Sequence, residues 1–237
     1  MHQFAMNDTL QVKTGDRRPA GAMKERLQNG ETLFGTMVTA FDSPEIMRLI
    51  ANAGLDWVFV DTESVYPSPE RLGAMLGYAQ LLGLPAVVRI PELRKAEVSR
   101  VLDLGAAGII CPDVRSAEEA RELVRLAKYF PDGERGVALD RPHTGYQVSG
   151  TAEKIQYMQQ ANRNTILICQ IESLPGLEHL EEIAAADGVD GLLIGPNDLS
   201  QAMGIFGQTD HPDFLAAVRR IMAAAKAVTT KLNWVDA

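Results

Sequence analysis

Short runs rich in Val, Ile and Leu alternate along the chain with longer stretches whose apolar residues recur at helical spacing. This alternation builds a parallel sheet from βαβ units. Six runs read as strands: 33–40 (LFGTMVTA), 57–61 (WVFVD), 86–90 (AVVRI), 108–112 (GIICP), 165–171 (TILICQI) and 191–194 (GLLI). Helices are predicted over 22–28, 43–53, 68–82, 95–104, from Ser116 onward, then 152–161, 177–186 and 212–227, with a polar loop over 131–150. Local signals place the boundaries. Ser43-Pro44 and Ser68-Pro69 occupy N-cap and N1 positions, Ser116 with Glu119 reads as a capping box, and Gly30, Gly54 and Gly105 stop the preceding helices. The strands are nearly continuous apolar runs, so both sheet faces should be buried. An open doubly wound sheet would carry a glycine-rich phosphate turn after the first strand; this chain reads TAFDSP over 39–44 instead. The pattern predicts an α/β fold, a TIM-type (β/α) barrel over 21–237, preceded by a flexible tail over 1–20.

Composition narrows the function classes. A length of 237 residues with 46% hydrophobic and 23% charged side chains suits one soluble core. The net charge of −8 leaves no basic stripe for nucleic acid. No apolar run approaches the roughly 20 residues a bilayer demands, and the polar first residues lack a signal peptide's apolar stretch. The expected compartment is the cytoplasm, with no membrane and no nucleic-acid partner. Cys111 and Cys169 fall inside strand runs and read as buried free thiols.

In a β/α barrel the chemistry sits at the C-terminal ends of the strands. Those ends supply Asp61, Thr62, Glu63 and Ser64 after strand two, Arg89 within strand three, Gln170 and Glu172 at strand five, and Gly195, Pro196, Asn197 and Asp198 after strand six. A guanidinium in a buried strand needs an anionic partner, either a structural one such as Glu63 or Glu172, or a bound anion or enolate. Glu172 and Asp198 end adjacent strands. Two readings stand for them: shared ligation of an octahedral divalent cation, or an arginine partner and a helix N-cap. The backbone amides after Gly195 and Pro196 are placed to cradle a carboxylate.

At these residues the chain resembles the HpcH/HpaI aldolase family, the metal-dependent pyruvate aldolases of 4-hydroxy-2-oxoheptane-1,7-dioate and related sugar acids. The matching segments are AGLDWVFVDTE (53–63), PAVVRIP (85–91), LDLGAAGIICPDVRSAEEA (102–120), GERGV (133–137), QIES (170–173) and GVDGLLIGPNDLSQAMG (188–204). The resemblance implies a barrel that assembles as a homo-oligomer, trimer or hexamer. It implies a divalent metal (Mg²⁺, Mn²⁺ or Co²⁺) on Glu172 and Asp198, with Arg89 steadying a pyruvate enolate. Amides near Asn197 and Asp198 would hold the carboxylate of a pyruvate- or oxaloacetate-type 2-oxo acid. Asp103 would form a dyad with a histidine across a subunit boundary.

Two departures shape the expected chemistry. The family reads D-x-E-H after the second strand, whereas this chain reads Asp61-Thr62-Glu63-Ser64. A serine hydroxyl does not titrate near neutrality as imidazole does. His143, in DRPHTGY, is then the histidine with a path to the rim, and water, His143 or Asp103 would handle protons. The expected reaction is aldol-type carbon–carbon cleavage to pyruvate enolate, or mainly decarboxylation of a 2-oxo acid, which forms the enolate without abstracting a substrate proton. The alternatives are a catalytically impaired 2-oxo-acid-binding homologue and a citrate-lyase-β-like acyl-CoA lyase, the latter lacking a basic patch for the CoA tail. The second departure is length. The family continues for about two further strand–helix units where this chain reads AKAVTTKLNWVDA, so the barrel is expected to be short at its C-terminus, its seam met by an improvised strand or a neighbouring subunit.

Overall fold

The computed structural model describes residues 20–227 and 232–233. Seven parallel strands follow one another in chain order: β1 (Gly35–Val38), β2 (Trp57–Asp61), β3 (Ala86–Arg89), β4 (Gly108–Cys111), β5 (Ile166–Ile171), β6 (Gly191–Ile194) and β7 (Leu232–Asn233). The helices between them are α1 (Ala20–Gln28), α2 (Glu45–Asn52), α3 (Pro69–Leu82), α4 (Lys95–Asp103), α5 (Ala117–Ala127), α6 (Thr151–Asn164), α7 (Leu174–Glu178), α8 (Leu180–Ala185), α9 (Pro196–Ala202) and α10 (Pro212–Ala227). The result is an α/β half-barrel. Among the described residues β1 and β7 end the strand order and do not pair with each other. The parallel sheet agrees with the expected class, and barrel closure is not part of what is described.

Strand alternation sorts the side chains onto two faces. Val58, Val60, Val88, Ile109, Leu167, Cys169 and Ile194 pack with the helices in the larger apolar cluster. Trp57, Phe59, Val87, Ile110, Ile166, Ile168 and Leu193 form a second cluster on the inner face, closed beneath by Met23 and Leu27 of α1. Continuing that inner parity toward the C-terminal ends leads from Phe59 to Asp61, from Val87 to Arg89, from Ile168 to Gln170 and Glu172, and from Leu193 to Gly195. The polar residues are therefore the top layer of the inner stack. Register sets them side by side, with Asp61 opposite Arg89 and Gln170 opposite Leu193. Cys111 and Cys169 lie opposite each other on β4 and β5 as buried free thiols, as expected.

Several local readings need correction. α1 begins at Ala20, inside the segment read as tail; residues 1–19 lie outside the described ones. α2 starts one turn position later than expected, with Pro44 at its N-cap and the Ser43 hydroxyl on the Glu45 carboxylate. Ser68 caps α3 through the Arg71 amide as read. Ser116 accepts from the Glu119 amide, but the Glu119 carboxylate reaches back to the Arg115 N–H rather than closing a reciprocal box. The helix expected over 177–186 is two short helices meeting at His179. α9 occupies a segment left without an assigned helix, and Asp198, weighed as an N-cap, lies in its first turn with Gly195 at the N-cap and Pro196 at N1, a favourable start. Leu232–Asn233 pairs with Gly191–Leu192, so the expected improvised strand is present as a two-residue β7.

Candidate active site

Arg89 ends β3 on the inner face, and its guanidinium is held from several sides. Nε and Nη2 donate to the two oxygens of Asp61 at 2.8 Å each, a bidentate pair. Nε also lies 3.0 Å from Glu63 Oε2. Nη2 donates to Ser64 Oγ at 3.2 Å, and Nη1 reaches Gln170 Oε1 at 3.4 Å. The Phe59 ring lies under it, 5.4 Å from Cζ. Burial works against the charge of Asp61, but the Arg89 hydrogen bonds and the Glu63 and Ser64 amides outweigh it and hold the carboxyl below its usual value. The arginine partner is thus chiefly Asp61, whose side chain is fully buried, with Glu63 second. Asp61 was visible at a strand end but carried no role in the sequence.

Glu172 continues the inner parity of β5. Its Oε1 accepts the Asp113 N–H at 2.9 Å, and Gln170 Nε2 donates to Oε2. Asp113 can aim that amide because it adopts φ 45°, a left-handed conformation that aspartate tolerates better than most residues. Gly195 leaves the room Glu172 needs: a Cβ there would fall 2.1 Å from Glu172 Oε2. Burial raises the Glu172 carboxyl above its ordinary value against the pull of Gln170 and the Asp113 amide, and Glu63 and Asp198 push the same way. Burial likewise raises Glu63; Arg89 opposes, while Asp61, Asp198 and Asp113 add to the rise.

These groups share one cavity of about 360 Å³, lined by Glu63, Ser64, Arg89, Gln170, Glu172 and the Gly195–Asp198 segment, with Met37, Phe59, Leu193 and Ile194 as its apolar wall. Its charge is lopsided. Arg89 is already paired, and burial with neighbouring acids raises the proton affinity of Glu63 and Glu172, which is also the condition for attracting a cation. Among the described residues no set of three His, Cys, Asp or Glu side chains gathers as metal ligands. The donor set that fits is two carboxylates, Glu172 and Asp198, with open positions for water and an oxygen-bearing substrate, a composition suited to Mg²⁺ or Mn²⁺. The amides of Asn197 and Asp198, in the first turn of α9, have no acceptor among the described residues.

Two residues expected at this site are elsewhere in the chain. Asp103 closes α4, and its Oδ1 accepts from Arg135 Nη2 at 2.7 Å. His143 lies in a 3-10 turn, with Nδ1 3.2 Å from the Asp103 carbonyl and Nε2 3.5 Å from Tyr129 Oη. It lines a second cavity of about 350 Å³ together with Pro85, Ala86, Ala107 and Thr165, which precede or begin β3, β4 and β5. That is the opposite end of the strands from Glu172. The reading that gave His143 a path to the rim is corrected: the loop over 131–150 runs from α5 to α6, which leads into the start of β5, and the contact of His143 with the Asp103 carbonyl holds it at the N-terminal face.

The model of the HpcH/HpaI aldolase/citrate lyase family matches residues 36–235, most of the chain. The chain belongs to that family. The family is one of carbon–carbon lyases, and this chain is an enzyme of the aldolase/lyase kind. It is 38% identical to the hydroxypyruvate/pyruvate aldolase of Roseobacter denitrificans over 88% of this chain and 81% of that one. The 5-keto-4-deoxy-D-glucarate aldolase of Klebsiella pneumoniae is 35% identical over 79% of this chain and 71% of that relative. The crystal structure of the HpcH/HpaI aldolase from Desulfitobacterium hafniense superposes with a TM-score of 0.84 at 36% identity, covering 90% of this chain and 80% of the other. No described helix is long and apolar enough to cross a membrane.

Proposed function

We propose that this chain is a divalent-metal-dependent lyase that forms or consumes the enolate of pyruvate from a 2-oxo acid, at the rim cavity of a β/α barrel. The observation that carries the reading is the placement of Glu172 and Asp198 in one cavity with Arg89. Relatives named for pyruvate and hydroxypyruvate support the substrate class. Glu172 and Asp198 would hold Mg²⁺, Mn²⁺ or Co²⁺, which supplies Lewis-acid stabilisation of charge developing on the 2-oxo oxygen.

The remaining residues bind and orient. Of the five N–H donors of Arg89, one on Nη1 has no acceptor among the described residues. It is available to an enolate oxygen, where a fixed guanidinium acts more strongly than in water. The free amides of Asn197 and Asp198 would take the substrate carboxylate, and Gly195 keeps the approach open. Ser64 is tied to the guanidinium and does not titrate, so it orients Arg89 rather than moving a proton. Loss of CO₂ from an oxaloacetate-type acid creates the enolate without a base, which makes decarboxylation the favoured reaction and aldol cleavage the slower one.

Purified protein with Mg²⁺ or Mn²⁺ should release pyruvate from oxaloacetate and, more slowly, from 4-hydroxy-2-oxo acids, and EDTA should abolish both. Thermal stabilisation by pyruvate with no turnover of either substrate would replace this reading with that of a 2-oxo-acid-binding homologue.

A further inference from the structure

An enolate must gain a proton to leave as pyruvate, or a substrate must lose one to form it. The groups near the cavity can be taken in turn. Asp61 is fully buried with both oxygens on Arg89. Ser64 is a hydroxyl on the same guanidinium. Glu172 and Asp198 are the proposed cation ligands. Asp113 pairs with Arg115 and does not line the cavity. Asp103 and His143 sit at the other end of the strands. One titratable side chain on the wall is left.

We propose that Glu63 is the proton-transfer group of this cavity: in cleavage it accepts the proton of the 4-hydroxyl and donates one to C3 of the enolate, and in condensation it takes a proton from C3 of pyruvate and returns one to the 4-oxygen. The assignment rests on the lyase reading above and completes it. The Glu63 amide donates to Asp61 Oδ1 at 3.0 Å, which fixes its backbone at the strand end. Its carboxylate lies 3.0 Å from Arg89 Nε, and its side chain keeps 34% exposure, enough to exchange protons with solvent. Acids face it from every side: Asp61 on β2, Asp113 after β4 and Asp198 on α9, with Arg89 the opposing cation. Burial raises its carboxyl above the ordinary value, with Asp61, Asp198 and Asp113 adding to the rise and Arg89 opposing, a direction that favours proton donation. In the step itself the Glu63 O–H bond breaks and a C3–H bond forms from the electron pair of the enolate double bond. C2 regains its carbonyl, and the carboxylate beside Arg89 recovers a proton from water.

Decarboxylation separates this role from a structural one, because CO₂ leaves before any proton moves. The measurements are C3–H exchange of pyruvate in D₂O, followed by NMR with Mg²⁺, and single-turnover CO₂ release from oxaloacetate. Glu63→Gln should slow exchange about 100-fold or more beyond any slowing of CO₂ release. Glu63→Asp should restore part of the exchange. Exchange at the unsubstituted rate in Glu63→Gln would overturn the assignment. So would equal loss of exchange and CO₂ release, which would mark Glu63 as a positioning residue for Arg89. If the unsubstituted protein shows neither exchange nor CO₂ release, the lyase reading itself fails, a different outcome from either of these.

Discussion

The two ends of the same strands are built on opposite electrostatic rules. At the N-terminal end most charges meet a complement: Arg135 pairs with Asp103 at 2.7 Å and lies 4.7 Å over the Tyr129 ring. Lys24 pairs with Asp190 at 2.7 Å, and Lys128 donates to the carbonyls of Asn162 and Thr165. At the C-terminal end one arginine is paired with Asp61 and Glu63, while Glu172 and Asp198 repel each other and Glu63. Uncompensated acid in a half-buried cavity costs stability, and it is retained where a ligand removes the repulsion. A cavity of similar volume exists at each end, so size does not distinguish the one proposed as catalytic. Unbalanced charge does.

Substitutions at the two ends should therefore separate activity from stability. The largest effect is expected for Glu172→Ala or Asp198→Ala, which should lower metal-dependent turnover on the order of 10³-fold while leaving the thermal midpoint in EDTA unchanged or raised. Loss of folding would break the comparison. Next, Asp61→Asn strips a buried arginine of its bidentate partner and should cost about 3–5 kcal/mol by urea unfolding, with activity lost alongside. This residue belongs to the rim in position and to the paired, stabilising kind in chemistry.

A smaller effect tests the N-terminal end by pH. Burial lowers the Lys128 pKa to about 8, with Lys24 adding to the fall. Between about 8 and the ordinary lysine value of 10.5 the unfolded chain binds more protons than the folded one. Stability then rises with pH across that window, and the ammonium below it costs on the order of 3 kcal/mol. Lys128→Met should remove that rise without altering turnover; an unchanged slope would show that Lys128 is not the group responsible. Smallest of all, His143→Ala loses the edge contact with Tyr157 and should destabilise by about 1 kcal/mol. Its effect on turnover should stay within about twofold, since it lies at the wrong end of the strands.

What the residues disclosed in advance follows from the range of the interactions involved. Strands β2 to β6 were legible because buried parallel strands are continuous apolar runs, and Arg89 stood out against Val87 and Val88. Glu172 and Asp198 followed from the rule that strand ends carry the chemistry. Asp61 went unassigned as the arginine partner because parallel register, which places it opposite Arg89, is a pairing across 28 positions that local pattern does not reveal. Asp113 was hidden for a different reason: its contribution is a backbone amide in a left-handed conformation, not its side chain. α9 was missed because its seven residues open with Pro-Asn-Asp, which also reads as a turn. The His143 error was one of topology, since the whole connection from α5 through α6 leads back to the start of β5 and its loop lies at the N-terminal face.

The central claim is that Glu172 and Asp198 share one cation. Titration of the metal-free protein with Mn²⁺, followed by electron paramagnetic resonance, measures this directly. One Mn²⁺ per chain is expected, with affinity lost in both Glu172→Gln and Asp198→Asn and retained in His143→Ala. Equal Mn²⁺ affinity in the two carboxylate variants and the unsubstituted chain would contradict it.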